Sequence, residues 1–176
     1  MAATSAAALP KRAEVPAEHQ WKLEDLFPSQ EAWDKEYDEV KSLIGKASEF
    51  QGKLTDAETI KSCFEWEDDV SLHIERLYVY ANMRHHQDMA EPKYQALSDK
   101  AKKLSVEVSE ALSFITPEIL SLSEEQLKAF IADPTLAPYK HTLEEMLRQK
   151  PHVLSKAEEA LLAQAGIMAR SAENIF

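Results

Sequence analysis

Glycine is nearly missing from this chain, with three in 176 residues, and cysteine occurs once. Turn-rich β folds use glycine wherever the backbone needs positive φ, so its scarcity argues against them. No strand-like alternation and no fixed-period repeat appears either, which leaves solenoids unsupported. A single thiol, Cys63, permits no intrachain disulfide and fits a reducing, cytoplasmic setting. Cys63 lies beside Phe64 on an apolar helical stripe, with no base or positive charge nearby, so it is expected to be a small buried hydrophobe rather than a nucleophile. No apolar run approaches the roughly 20 residues that a bilayer span requires, so no membrane partner is expected.

Positive charge is also in deficit. There are 31 acidic and 20 basic residues, a formal net charge of −11. An acidic surface repels phosphate backbones, so nucleic acid is not an expected partner. The one local cluster of lysines, Lys100, Lys102 and Lys103, reads as a solvated helix face. Neither a glycine-rich phosphate loop nor a Ser-His-Asp arrangement stands out. Met1 to Leu9 is rich in alanine, and the first basic residue comes only at Lys11, so the charge-first pattern of a secretory signal is lacking. Residues 1–11 are expected to be a disordered leader.

What is present is helical periodicity, and the expected fold class is all-α. Ser29 after Pro28 can cap a first helix carrying Trp33, Tyr37, Val40, Ile44 and Ala47 on one stripe, with Gly45 and Gly52 bracketing its end. Thr55 and Glu58 form the next capping-box candidate. Ile60, Phe64, Val70, Ile74, Leu77, Tyr78 and Ala81 then continue at mostly helical spacing towards Gln87, a helix of roughly 45 Å if unbroken. Glu91-Pro92 restarts the chain, and Tyr94, Leu97, Ala101, Leu104, Val108, Ala111 and Ile115 supply a third stripe that Pro117 is expected to stop. Those lengths predict a long antiparallel hairpin. Shorter pieces follow. Ser123 with Gln126 caps a helix bearing Leu127, Phe130 and Ile131, Asp133-Pro134 breaks it, and Leu143, Met146 and Leu147 mark another. Pro151 should stop that one and hold Lys150 extended. A last helix, capped by Ser155 with Glu158 reaching back, begins near Lys156.

Four segments in order carry a resemblance. Glu14-Val15-Pro16 followed by Trp21-Lys22-Leu23-Glu24-Asp25-Leu26-Phe27 is similar to W-x-L-x-D-L-[FY]. Phe50 to Leu54 is similar to F-x-G-K-L, and Leu77-Tyr78-Val79-Tyr80-Ala81 through Asp88 to Y-A-x-x-x-x-x-x-D. Arg148 to Glu159 is similar to R-x-K-x-H-x-L-S-x-x-E-E. Together, from about Arg12 to Phe176, the chain resembles the N-terminal part of oligoendopeptidase F, a thimet-oligopeptidase-like zinc metallopeptidase. The resemblance implies a helical lobe beside a channel that admits short peptides, with a zinc-bound water and a glutamate base performing hydrolysis elsewhere. The zinc helix of such enzymes is H-E-x-x-H, and no His-Glu dipeptide occurs in these 176 residues. The family's catalytic and metal residues are therefore assigned to no position here, and zinc is expected only in the full-length family.

The remaining chemical candidates are each weighed against a structural role. His85 and Asp88 are three apart, with His86 and Glu91 close by, so two or three metal ligands could converge. The preferred reading is a polar helix end, where histidine also suits the C-terminal dipole. His152 is expected to steady the loop before Ser155. Trp33 should pack in the core, Trp21 should anchor a nonhelical arm, and Trp66, among Glu65, Glu67, Asp68 and Asp69, is expected to be partly exposed, with contact to a partner or substrate the less favoured reading.

The expected organisation is the leader, a helical hairpin region over residues 12–118, and a short-helix region over 119–176 leading towards an absent catalytic domain, with a boundary near Glu118–Ser121. The expected function is that of a channel-shaping lobe of a zinc-dependent oligoendopeptidase, inactive alone. Its partners would be the missing catalytic domain and an oligopeptide substrate. The alternative is a freestanding helical protein-interaction module.

Overall fold

The computed structural model describes residues 14–153. These include seven α-helices in the order α1 (Gln30–Ile44), α2 (Ala47–Phe50), α3 (Ala57–Gln87), α4 (Pro92–Leu112), α5 (Ile115–Ser121), α6 (Glu124–Ala132) and α7 (Lys140–Gln149). Single 3-10 turns lie at Ala17–His19, Leu23–Asp25, Pro134–Tyr139 and Lys150–His152, and no strand occurs among the described residues. The expected leader and the Ser155–Glu158 capping box lie outside the described residues.

The first helix starts as the sequence implies. Ser29 is extended, and its Oγ accepts from the Ala32 amide at 3.3 Å. The α3 start differs by one residue from expectation. Asp56, not Thr55, is the cap: Oδ1 accepts from Thr59 N at 2.9 Å and Oδ2 from the Thr59 hydroxyl at 2.8 Å. A carboxylate satisfies the amide and the hydroxyl together, and it faces the positive end of the helix dipole. α3 then runs for 31 residues without a break, about 46 Å at 1.5 Å per residue. Its buried residues include Ile60, Cys63, Phe64, Trp66, Val70, Leu77, Tyr80 and Ala81. Tyr78, expected on that stripe, is 39% exposed; Tyr80 takes the inward place and meets Phe27 edge to face at 5.3 Å.

The chain reverses through Asp88–Glu91, and α4 returns alongside α3, where the Ser98 hydroxyl donates to Asn82 Oδ1 at 3.2 Å. This is the predicted hairpin. α1 packs on both of its arms and lies antiparallel to α3, tied by two reciprocal indole bonds. Trp33 Nε1 donates to the Leu77 carbonyl and Trp66 Nε1 to the Leu43 carbonyl, each at 3.0 Å. Trp66 is thereby buried and stacked on Phe50, centroids 5.3 Å apart, which corrects its expected exposure. Glu65, Asp68 and Asp69 point outward while the indole turns in. That is what a helix does with consecutive residues.

α4 ends at Leu112, earlier than Pro117 suggested. Ser113 Oγ donates to the Glu110 carbonyl at 2.7 Å, and Ile115 opens α5 with Pro117 inside its first turn. Proline is harmless there because the first-turn amides have no helical partner. The Ser123–Gln126 capping box of α6 has both halves, at 3.2 and 2.9 Å. Asp133 ends α6 and caps the following turn through Thr135 N at 2.8 Å. Lys150 is helical (φ −49°, ψ −44°), not extended, because Pro151 continues a 3-10 turn directly from α7. One core cluster joins Trp33, Val40, Ile60, Val70, Leu77 and Leu104 of the long helices to Ile119, Leu127, Leu136 and Leu143 of the short ones.

Candidate functional site

The residues singled out for chemistry do not converge. α3 ends at Gln87, and Asp88 is extended (φ −151°) with its Oδ1 accepting from Ala90 N at 3.0 Å. Glu91 Oε1 accepts from Lys93 N at 3.2 Å, so both carboxylates serve the hairpin turn. His85 is buried with its Nδ1 unpaired, 5.9 Å between its ring centre and that of His86. Among the described residues, no group of three or more His, Cys, Asp or Glu side chains could hold a metal ion. Cys63 is fully buried, and burial pushes its thiol up to about 12, with Glu67 and Glu118 adding to the shift. A thiol so placed is not a nucleophile at neutral pH. His152 is exposed in the last described turn.

Three clamps that the sequence did not reveal hold the chain's turns instead. Glu118, early in α5, accepts from Gly52 N through Oε2 and from Leu54 N through Oε1, both at 2.8 Å. Gly52 sits at φ +78°, in the left-handed region, so the F-x-G-K-L segment is a turn closed by a carboxylate 66 residues away. Lys150 Nζ donates to the Leu120 carbonyl and, at 2.7 Å, to the Leu122 carbonyl, a cation on the free carbonyls at the end of α5. Glu36, mostly buried, takes the Arg76 guanidinium at 3.0 Å and His73 Nδ1 at 2.9 Å, while Arg76 also donates to the Leu26 carbonyl at 3.2 Å. Arg76 lies 5.1 Å over the Phe27 ring and so fastens the arm before α1. The motif residues of the arm divide accordingly. Leu23 and Phe27 are 1% and 2% exposed and anchor it. Trp21, expected to be the anchor, is 78% exposed.

Trp21 forms one wall of a cleft of about 390 Å³, the others coming from His19, Gln20, Met83, His86 and Gln87. The arm thus meets the C-terminal part of α3 without closing on it. A second concavity, about 580 Å³, lies beyond the Gly52 turn among Glu49, Lys53, Asp56, Glu58 and Ser62. It is wide, Phe50 also lines it, and nothing in it resembles an acid–base pair aimed at one point. Near the middle of α3, Tyr139 donates to Asp68 Oδ2 at 2.8 Å, and burial followed by that bond raises its hydroxyl to about 12. Burial, and then Asp68, raises the Glu67 carboxyl. These are structural contacts between α3 and the turn Pro134–Tyr139. No catalytic machinery is assembled by the described residues.

Comparison with known proteins supplies what the geometry lacks. Residues 118–176 match the family model described as Oligopeptidase F. Over 170 residues the chain is 45% identical to Oligopeptidase PepF of Bacillus subtilis, a match covering 96% of this chain and 25% of that protein. The chain belongs to the oligoendopeptidase F family. Its described fold is also that of the solved oligoendopeptidase-F from Enterococcus faecium, at a TM-score of 0.65 and 32% identity over 81% of this chain and 28% of that one. A solved chain from Chlamydophila abortus aligns at a TM-score of 0.80 and 26% identity, covering 93% of this chain and 28% of that one. This chain therefore spans about a quarter of the length of the family members it matches. It corresponds to their N-terminal region. Among the described residues no helix is long and apolar enough to cross a membrane.

Proposed function

We propose that this chain is the helical lobe of a zinc-dependent oligoendopeptidase, shaping the channel through which short peptides reach a catalytic centre built by the rest of such a polypeptide. The observation that carries the reading is the likeness to PepF, which runs along nearly the whole chain yet covers 25% of that relative. A lobe of this kind needs rigidity more than reactive groups. Rigidity is what the reciprocal indole bonds and the Glu118, Lys150 and Glu36 clamps supply.

The donor set here does not fit a catalytic zinc. The sequence has no H-E-x-x-H, and the nearest histidine–carboxylate group is split by the turn at Asp88. No catalytic step is therefore routed through these residues. A reducing, cytoplasmic setting is the one that the single buried thiol suits.

The test is a chimera in which this chain replaces the corresponding segment of Bacillus subtilis PepF, assayed on fluorogenic oligopeptides. The chimera should hydrolyse them and the 176-residue chain alone should not. Hydrolysis by the pure chain would overturn the reading, and a folded but inactive chimera would favour a freestanding interaction module.

A further inference from the structure

The long helix α3 has two faces of unlike use. Its inward residues are covered by α1, α4 and the turn Pro134–Tyr139. On the opposite side, Leu72, Val79, Met83 and His86 recur at intervals of seven, four and three residues, which places them on one line, with Met83 half-buried and also packed against the core. That line spans 15 residues, about 21 Å of helix. Leu72 is 58% exposed and Val79 38%. The line ends in the cleft where Trp21, 78% exposed, faces Met83 and His86. Met89, just past the end of α3, is 71% exposed.

Scattered apolar residues on a surface need no explanation, but an aligned run ending at a tryptophan-walled cleft does. Tryptophan and methionine are also the side chains that interface cores favour. Towards the N-terminal end of α3, Asp68 on the same side accepts from the Tyr139 hydroxyl, which is where the short-helix region borders this face. The family members it matches carry about three-quarters of their length outside the matched part, a body large enough to cover such a strip.

We infer that the strip Leu72–Val79–Met83–His86, with the Trp21 cleft at its end, is the surface on which the remainder of the peptidase polypeptide docks. The inference rests on the proposed function for the identity of that partner. It assigns Trp21 a role its exposure otherwise leaves without a cause: it is a prong between bodies, while Leu23 and Phe27 hold the arm to its own lobe.

Thiol labelling tests it, because the only native cysteine of the chain is buried and resists deprotonation. Val79→Cys and Trp21→Cys are placed separately in this chain and in the PepF chimera, and maleimide labelling is read at those sites by mass spectrometry. Val106→Cys, on the outer side of α4 where Val106 is 67% exposed, is the control. Both test sites should label at least about tenfold more slowly in the chimera, with the control unchanged, as expected when a site is protected by a stable contact. Equal rates in an active chimera would overturn the docking surface and leave the proposed function standing. Protection in an inactive chimera would do the reverse. Labelling of the isolated chain that slows as its concentration rises would identify a second copy as the occupant and also overturn the inference. If the PepF chimera does not fold, the same sites are read in one built on the Streptococcus agalactiae PepB, 38% identical to this chain.

Discussion

Glu118 shows how one side chain can decide the placing of a distant turn. Its two oxygens take the amides of Gly52 and Leu54, and neither amide has a nearby helix to serve it. Charge-assisted bonds of this kind are worth more than neutral ones. Glu118→Ala should destabilise the chain by about 2 kcal/mol, read as a lower urea midpoint at unchanged slope. Glu67 works in the opposite direction. Burial raises its carboxyl in the folded state, so folding holds that proton to higher pH than the unfolded chain does. The contribution of Glu67 to stability therefore falls as pH rises from about 4.5, the ordinary value, through the raised folded one. Glu67→Gln should melt higher than the parent at pH 7 and indistinguishably from it well below pH 4.5, a comparison that calorimetry at the two pH values makes directly. Had the difference survived in acid, its cause would be packing and not the proton. Neither role was legible in sequence. Glu118 is joined to its partners across more than sixty residues, and Glu67 looks like one more acid in an acidic run.

Helices, by contrast, were largely written in local pattern. Ser29, the Ser123–Gln126 box and the Glu91-Pro92 start all act as their residue types require, because capping involves only neighbours within a turn. The errors fell where two local signals competed or where tertiary contact decided. Thr55 and Asp56 are both good caps, and the choice went to the one whose carboxylate serves the Thr59 amide and hydroxyl together. Asp56→Ala should accordingly cost about 1 kcal/mol in thermal or urea unfolding, and Thr55→Ala much less. Equal losses would return the cap to Thr55. Pro117 was read as a stop and is a start, since proline excludes only the interior of a helix. Trp21 and Trp66 exchanged their expected places. The inward turn of Trp66 depends on the Leu43 carbonyl, and the outward one of Trp21 on how the arm is fastened by Arg76 over Phe27, and neither fact has a signature in spacing.

Across the whole molecule, the division proposed near Glu118–Ser121 meets a core that does not respect it. Leu136 and Tyr139 pack against α3, and Ile119 belongs to the same cluster as Trp33 and Leu77. Regions sharing a core unfold together when neither can bury its apolar face alone. Urea unfolding should therefore be one transition, with fluorescence from the buried Trp33 and Trp66 tracking the loss of helix by circular dichroism. Two separated transitions would restore the boundary as a line between independent units. The family resemblance was legible because its motifs lie where the chain bends. The F-x-G-K-L turn needs its glycine at φ +78°, and the lysine of R-x-K ties off α5.

The clamp between Glu118 and the Gly52 turn has a practical corollary for anyone dissecting the molecule. The recognisable family segment begins at residue 118, so it invites expression as a separate piece. Cut there, the acid would keep its charge and lose both amides it was built to hold, and Leu136 and Tyr139 of the Pro134–Tyr139 turn would lose the helix beneath them. What is inherited as a recognisable unit in this family is not what can be purified as one: such a piece should emerge in inclusion bodies, and the shorter helices should be studied only with the hairpin attached.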